Sequence, residues 1–324
     1  MHDGIDQRGG IGQVASHGAT EVVDQRLVRQ RCGLVAIVGR ANVGKSTLLN
    51  SILGQKLSIT SRKPQTTRYQ ILGVHTDAAT ETQYVFVDTP GWQRQPKSQL
   101  NRLMNRQVKQ ALSDVDCAVL VSDARSWQAD DELVYDMLRQ ANTPIIHVLN
   151  KQDLLQTKST LLPRLAELAS KYPCAAFVPI SARGGSGVSS VLREVSVFLP
   201  ERPYLFPADQ ITDRSERFLC GEIIREKTMR YLGDELPYRT TVIIDDFKEE
   251  GEITHIHATL WVDRDSQKPI VIGKDGALMK RMSTEARLDL ETLLGRRVYL
   301  KVWVKTKRGW ADSADALMII GLTD

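Results

Sequence analysis

Cysteine is scarce: Cys32, Cys117, Cys174 and Cys220 are the 4 in a chain of 324 residues, and no two form a C-x-x-C pair. That excludes a disulfide scaffold, argues against zinc, and fits the reduced thiols of a cytosolic protein. The 6 histidines show no metal-ligand spacing either. No run of 18 apolar residues occurs, which excludes a membrane-spanning helix. Residues 1–30 lack the apolar stretch of a secretory signal, and their Gly, Gln, His and scattered charges read as a flexible tail. A strong charge of one sign is missing too. The excess is +4, and residues 201–324 hold slightly more acidic than basic side chains. Any nucleic-acid binding by that half must therefore use a local patch. No internal repeat appears.

What is present suits two soluble domains, with 42% hydrophobic and 25% charged residues. From Gly33 to Pro200 short β-branched runs alternate with helical patterns. The runs are Leu34–Val38, Tyr84–Val87, Ala118–Val121, Ile145–Leu149 and Ala176–Ile180, and the helical patterns include Asp130–Asn142 and Lys158–Lys171. Nearly unbroken apolar strands of this length predict a mostly parallel sheet covered on both faces, an α/β domain over residues 31–200. Three prolines between Pro200 and Pro207 predict a linker, residues 201–212. The remainder, 213–324, reads as a smaller α+β domain in the order α-β-β-α-α-β. A helix over Asp213–Leu232, opened by Asp213 and closed near Gly233, is followed by strands at Thr240–Phe247 and His255–Val262. A helix–turn–helix over Val271–Leu294 and a strand at Val298–Lys305 complete it.

Gly39-Arg40-Ala41-Asn42-Val43-Gly44-Lys45-Ser46 matches G-x-x-x-x-G-K-[ST], between a strand and a helix as a P-loop requires. Backbone N–H groups there can wrap phosphates, Lys45 can neutralise β/γ charge, and Ser46 can place its hydroxyl on Mg²⁺. Thr47 continues the loop. Asp88-Thr89-Pro90-Gly91 ends the next strand, which suits Asp88 to a water-mediated Mg²⁺ contact and the Gly91 N–H to the γ-phosphate. Asn150-Lys151-Gln152-Asp153 ends another strand. A carboxylate in the base plane accepts both guanine donors, so Asp153 is the expected guanine reader, while Asn150 and Lys151 hold the loops. Ser181-Ala182-Arg183 ends the last strand, with the Ala182 N–H expected at guanine O6. The polar segment Ser61–Arg68 fits a first switch, with Thr67 favoured over Thr66 to complete Mg²⁺ coordination. Together these predict a Ras-like P-loop GTPase.

The loop Gly39–Thr47, the segment Ser58–Arg68 and Asp88–Gly91 resemble the Era family of bacterial GTPases. In the second half the likeness is carried by Ile211–Ser215, Glu222–Lys227, Glu235–Tyr238 and Gly309–Asp312. The resemblance implies GTP and GDP as ligands, Mg²⁺ as cofactor, and a C-terminal KH domain. It further implies the 3′ end of 16S rRNA and the small ribosomal subunit as partners. A monomer in the cytoplasm is expected, with peripheral inner-membrane association known in the family but no amphipathic anchor here to argue for it. Ile272-Gly273-Lys274-Asp275-Gly276 then resembles the G-x-x-G loop of a KH domain, with Lys280 and Arg281 as its basic patch. A second basic run, Arg296 to Arg308, has no acidic residue, and Tyr299, Lys301, Trp303 and Lys305 alternate along one face of it. Asn42 resembles the asparagine that coordinates K⁺ in related GTPases, which predicts K⁺-stimulated hydrolysis. Trp92 stands where Ras-type enzymes have a glutamine, and Ala41 where the family usually has proline. The alternative reading is a signalling switch that binds protein effectors and uses the second domain as scaffold.

Overall fold

The computed structural model describes residues 30–322 except 62, 64, 65, 97, 234 and 235. The expected tail, residues 1–29, and Arg62, Pro64 and Gln65 of the first switch therefore lie outside the described residues, as does Glu235.

The first sheet contains β1 (Arg31–Val38), β2 (Ile71–Asp77), β3 (Thr82–Asp88), β4 (Cys117–Asp123), β5 (Ile145–Asn150) and β6 (Ala176–Pro179). It is 6-stranded in the order β2-β3-β1-β4-β5-β6, with β2 antiparallel to β3 and every other pair parallel. Strands β3, β4 and β5 are buried along their whole length, polar residues such as Gln83 and His147 included, around the apolar runs expected for strands covered on both faces. Helices α1 (Lys45–Leu53), α2 (Gln99–Ser113), α3 (Ala129–Gln140), α4 (Leu161–Lys171) and α5 (Val188–Ser196) accompany it. The order reverses between β1 and β4, so the loops after the C-terminal ends of these strands open a crevice there.

The edge strand β2 was not evident from sequence, because its apolar run is interrupted by Gly73. That glycine has a packing reason: a Cβ there would lie 2.6 Å from Leu49 Cδ1 on α1.

Residues 201–212 are not a loose connection. Gln83, buried in β3, accepts from the Leu205 and Phe206 N–H groups at 2.9 and 3.0 Å and donates to the Phe206 carbonyl at 2.9 Å. Arg202 donates to the Cys32 carbonyl and to Asp116 at 2.8 and 2.9 Å. Val74 N–H reaches the Ile211 carbonyl at 2.7 Å, and Thr212 bridges to Gly73. Because 211–212 run extended along β2, the next helix, α6, starts only at Glu216 and ends at Tyr231. Its cap is Ser215, which accepts from Phe218 N–H, and not the expected Asp213.

The second sheet has the order β7-β8-β9, from β7 (Thr240–Glu250), β8 (Ile253–Val262) and β9 (Arg297–Thr306). β7 pairs antiparallel and β9 parallel with β8. α7 (Lys268–Ile272) and α8 (Ala277–Leu294) lie between β8 and β9 in the chain, giving the expected α-β-β-α-α-β order. One face of this sheet buries Ile256, Ala258, Leu260 and Val262 with α6 and α8 residues such as Ile223, Ala286 and Leu290.

A short helix after β9, α9 (Ala314–Ile319), also escaped sequence reading. With Trp310 it joins the core cluster that includes Leu100 and Met104 of α2, so the last described residues pack back onto the first sheet's helices.

Candidate nucleotide site and its contact with the second sheet

The crevice is built from loop geometry that only certain residues adopt. Gly44 has φ 104°, and a Cβ on it would fall 2.2 Å from Asn150 Nδ2. Asn42 and Lys151 take positive φ as well, at 63° and 66°. The loops are tied side chain to backbone. Asn150 Nδ2 donates to the Val43 carbonyl at 2.8 Å, and Asn150 Oδ1 accepts from the Lys151 and Ala182 N–H groups at 2.7 and 2.9 Å. The Ala182 N–H, expected at guanine O6, is thus directed at Asn150 in this structure. Lys151 Nζ donates to the Asn42 carbonyl at 2.6 Å and to Asp123 at 3.0 Å. Asp123 and Arg125 were missed from sequence; an acid at the C-terminal end of β4 was the available signal. Burial opposes the charge on Asp123, but Arg125 and Lys151 outweigh it and hold the carboxyl well below the usual range.

Lys45 is buried and donates to the Gly39 and Arg40 carbonyls at 3.0 and 3.1 Å. Burial lowers its pKa to about 8, with Asp88 pulling the other way. At the next position Ser46 Oγ lies 2.8 Å from Thr67 Oγ1 and donates to Asp88 Oδ2 at 2.8 Å. The other Asp88 oxygen is buried with no hydrogen-bond partner, and burial pushes this carboxyl's pKa up, against Lys45. Two hydroxyls and a half-unsatisfied carboxylate, all oxygen donors, fit a hard divalent cation such as Mg²⁺. The structure brings Thr67, and not Thr66, to this point: Thr66 Oγ1 bonds Ser61 Oγ and the Lys63 carbonyl, each at 2.7 Å.

Gly91 approaches the P-loop so closely that a Cβ would sit 3.0 Å from Ala41 Cα. Thr89 turns inward, donating to the Ile37 carbonyl at 2.9 Å, and Pro90 is buried beside it. Both thereby brace the turn. Trp92 packs against the cluster of Val108 and Leu112, which takes its indole into the protein. A cavity of about 470 Å³ extends from Asn42, Gly44 and Thr47 to Asn150, Lys151, Asp153 and Arg183. Asp153 and Arg183 are exposed to it, and Ser181, buried, closes the turn beneath by accepting from Gly184 N–H. This is the shape of a purine-sized slot joined to a phosphate cradle.

Residues 34–151 match the family described as 50S ribosome-binding GTPase, and residues 235–311 match the KH domain. GTPase Era of Ectopseudomonas mendocina is 52% identical over 294 residues, 91% of this chain and 98% of its own length. GTPase Era of Azotobacter vinelandii is 51% identical over 91% of this chain and 97% of its own. The chain belongs to the Era family of GTPases. Among solved structures, an Aquifex aeolicus Era variant bound to GDP·AlF₄⁻ aligns with a TM-score of 0.87 at 39% identity, covering 91% of this chain and 100% of that one. An Era complex with MgGDPNP and nucleotides 1506–1542 of 16S ribosomal RNA aligns equally well, at 0.87 and 39%. As an Era-family member the chain is a GTP-hydrolysing enzyme with a P-loop domain followed by a KH domain.

The first switch is held from the KH side. Arg225 on α6, buried, forms a bidentate pair with Glu222 at 2.7 and 2.6 Å and donates to the Thr66 carbonyl at 2.5 Å. Arg68, fully buried, donates to the Thr240 and Pro237 carbonyls at 2.8 and 3.3 Å and lies 5.3 Å from the Trp310 ring centre. Lys56 pairs with Glu226 and Asp289. Thr67 thus stands between two residues anchored to the second domain.

In the KH domain Gly273 has φ 77°, and a Cβ there would meet Leu278 Cβ at 2.6 Å, so the loop requires glycine. Gly276 and Asp275 also take positive φ, at 76° and 50°. Lys274, Asp275, Ile272 and Lys280 are exposed on this hairpin. Arg281 is partly spent elsewhere: it lies 4.8 Å from the Tyr231 ring centre and 3.6 Å from Glu285.

Proposed function

We propose that this chain binds GTP and Mg²⁺ in the crevice of residues 31–200 and couples hydrolysis to holding 16S rRNA near its 3′ end. In this reading residues 201–212 join the GTPase unit to a KH unit, 213–324, and the cycle assists maturation of the small ribosomal subunit. The observation that carries it is the convergence of Ser46, Thr67 and Asp88 beside Lys45, with both neighbours of Thr67 bonded to the second domain.

Ser46 and Thr67 would hold the metal directly and Asp88 through water; bound there, Mg²⁺ supplies charge neutralisation on the β- and γ-phosphate oxygens. Gly39, Asn42, Val43, Gly44 and Thr47 wrap the phosphates, and Lys45 offsets their charge. The Gly91 N–H meets the γ-phosphate while water attacks in line. Asp153 reads guanine, with Asn150, Lys151, Ser181, Ala182 and Arg183 shaping the slot. Asn42 would hold a K⁺ ion, which would add positive charge where the transition state gains negative charge. On the KH side the Ile272–Gly276 loop, Lys280 and Arg281 receive single-stranded RNA. The chain works as a cytoplasmic monomer, and any contact with the inner membrane is peripheral; no described helix is long and apolar enough to cross it.

The reading is tested by crosslinking the full chain to small-subunit RNA with GTP, GDP or no nucleotide. GTP-dependent crosslinks mapping near the 16S 3′ end are expected, and Lys274→Asp should abolish them. RNA retention indifferent to nucleotide and to Lys274 would overturn it in favour of a protein-effector switch. Equal turnover in K⁺ and Na⁺ would remove the K⁺ assignment alone.

A further inference from the structure

The outer face of the second sheet carries chemistry that the KH loop does not use. Strand register places His255 opposite Tyr299, His257 opposite Lys301 and Thr259 opposite Trp303. Side chains alternate along a strand, so all six project from the face opposite the one buried against α6 and α8. Four rings form a ladder across the two strands. His255 and Tyr299 centres are 5.3 Å apart, His257 and Tyr299 6.3 Å, and His257 and Trp303 5.3 Å. The ladder stops in solvent, with Tyr299 50% and Trp303 37% exposed.

The surrounding charge is selective. Lys301 Nζ lies 4.8 Å from the Trp303 ring centre. Among the described residues Arg297, Lys301, Lys305 and Lys307 make no ion pair. The acids nearby are engaged: Asp246 pairs with Lys248, Glu250 lies 3.7 Å from His255, and Asp245 accepts from the Thr259 hydroxyl at 2.6 Å. Exposed π faces interleaved with unpaired cations along an extended strand are what single-stranded nucleic acid requires, for base stacking and backbone neutralisation together. A protein partner is the poorer fit, because lysine is depleted from protein interfaces. β9 is also the free edge of its sheet, directly after α8, so a strand leaving the Gly273–Gly276 loop can fold around that edge.

We propose that Tyr299, Trp303, His255 and His257, flanked by Arg297, Lys301 and Lys305, form a second single-stranded RNA surface that takes unpaired bases beyond those held at the KH loop. This rests on the RNA-binding reading given above.

The test measures binding of the full chain, with a non-hydrolysable GTP analogue, to a fluorescent RNA of 16S nucleotides 1506–1542. Tyr299→Ala with Trp303→Ala should weaken it at least ~30-fold, the lower bound for losing two base–aromatic stacks. Tyr299→Phe with Trp303→Phe should stay within about threefold, since stacking survives. Lys301→Gln with Lys305→Gln should flatten the slope of log affinity against log salt by roughly 1.4, at about 0.7 per phosphate on single strands. Unchanged affinity in the alanine pair, while Lys274→Asp abolishes binding, would overturn the second surface and leave the loop reading intact. Binding indifferent to every variant would overturn both. Should the alanine pair unfold, the lysine pair decides, and an unchanged salt slope refutes the proposal. Protection of this face by a ribosomal protein, with RNA affinity unaltered, refutes it equally.

Discussion

Arg225→Met is the sharpest probe of how the two domains share the switch. The guanidinium satisfies Glu222 twice and the Thr66 carbonyl once, all within a seam where Arg225 is 1% and Glu222 5% exposed. Methionine keeps much of the apolar volume but leaves the Glu222 carboxylate buried and unpaired, a defect that costs about 3–5 kcal/mol. Adding Glu222→Gln removes the stranded charge, so the double variant should recover most of that loss. What remains is the missing bond to Thr66, about 1.5–3 kcal/mol for a charged donor. Urea unfolding followed by tryptophan fluorescence gives the stabilities, and steady-state hydrolysis gives the functional half. The double variant should hold GDP normally yet turn over GTP at least about tenfold more slowly, because Thr67 loses its restraint while the P-loop does not. A single variant destabilised by less than 1 kcal/mol, or a double variant no better than the single, would refute the argument.

Gly44→Ala forces a Cβ into Asn150 Nδ2 at a φ of 104°, and nucleotide affinity should fall by at least about tenfold, or 1.4 kcal/mol, by calorimetry. Lys45, lowered by burial to about 8, must be protonated to meet a phosphate, so the GDP Kd should rise towards tenfold per pH unit above about 8; a flat profile from pH 7 to 9 contradicts this. His147, buried and bonded to Ser122, has its pKa lowered from 6.5 to about 4 by burial and then by Arg164. The unfolded chain therefore takes up this proton first as pH falls. Stability is intact above about 6.5 and drops by roughly 3 kcal/mol on passing to 4, a slope that His147→Gln should reduce.

Much of the nucleotide site was legible because it is written in short windows. Gly44 and Lys45 sit between a strand and a helix, and Asp88 and Asn150 end strands whose apolar runs are unmistakable. Such local chemistry needs no knowledge of distant contacts. The sequence left Thr66 and Thr67 adjacent candidates with Thr67 favoured, and only the fold shows that Thr67 Oγ1 is the one beside Ser46. β2 was missed because an edge strand needs apolar cover on fewer sides and Gly73 breaks its pattern. The start of α6 was misplaced because Asp213 is as good a cap as Ser215 in isolation; only the pairing of Thr212 with Gly73 selects the later one. The seam was invisible for a different reason. Arg68, Arg225 and Glu222 look like surface residues, and the carbonyl that Arg68 meets on Thr240 lies 172 positions away.

The packing of Trp310, Ala316 and Leu317 into the same cluster as Leu100 and Met104 bears on how the molecule is made. On a translating ribosome the P-loop emerges well before residues 310–322, so part of the domain's apolar cover is made after its nucleotide motif. Until residues 310–322 leave the exit tunnel, that patch stays bare and invites chaperones. A nascent chain arrested before Trp310 would carry the nucleotide motifs on a body that lacks part of its apolar cover.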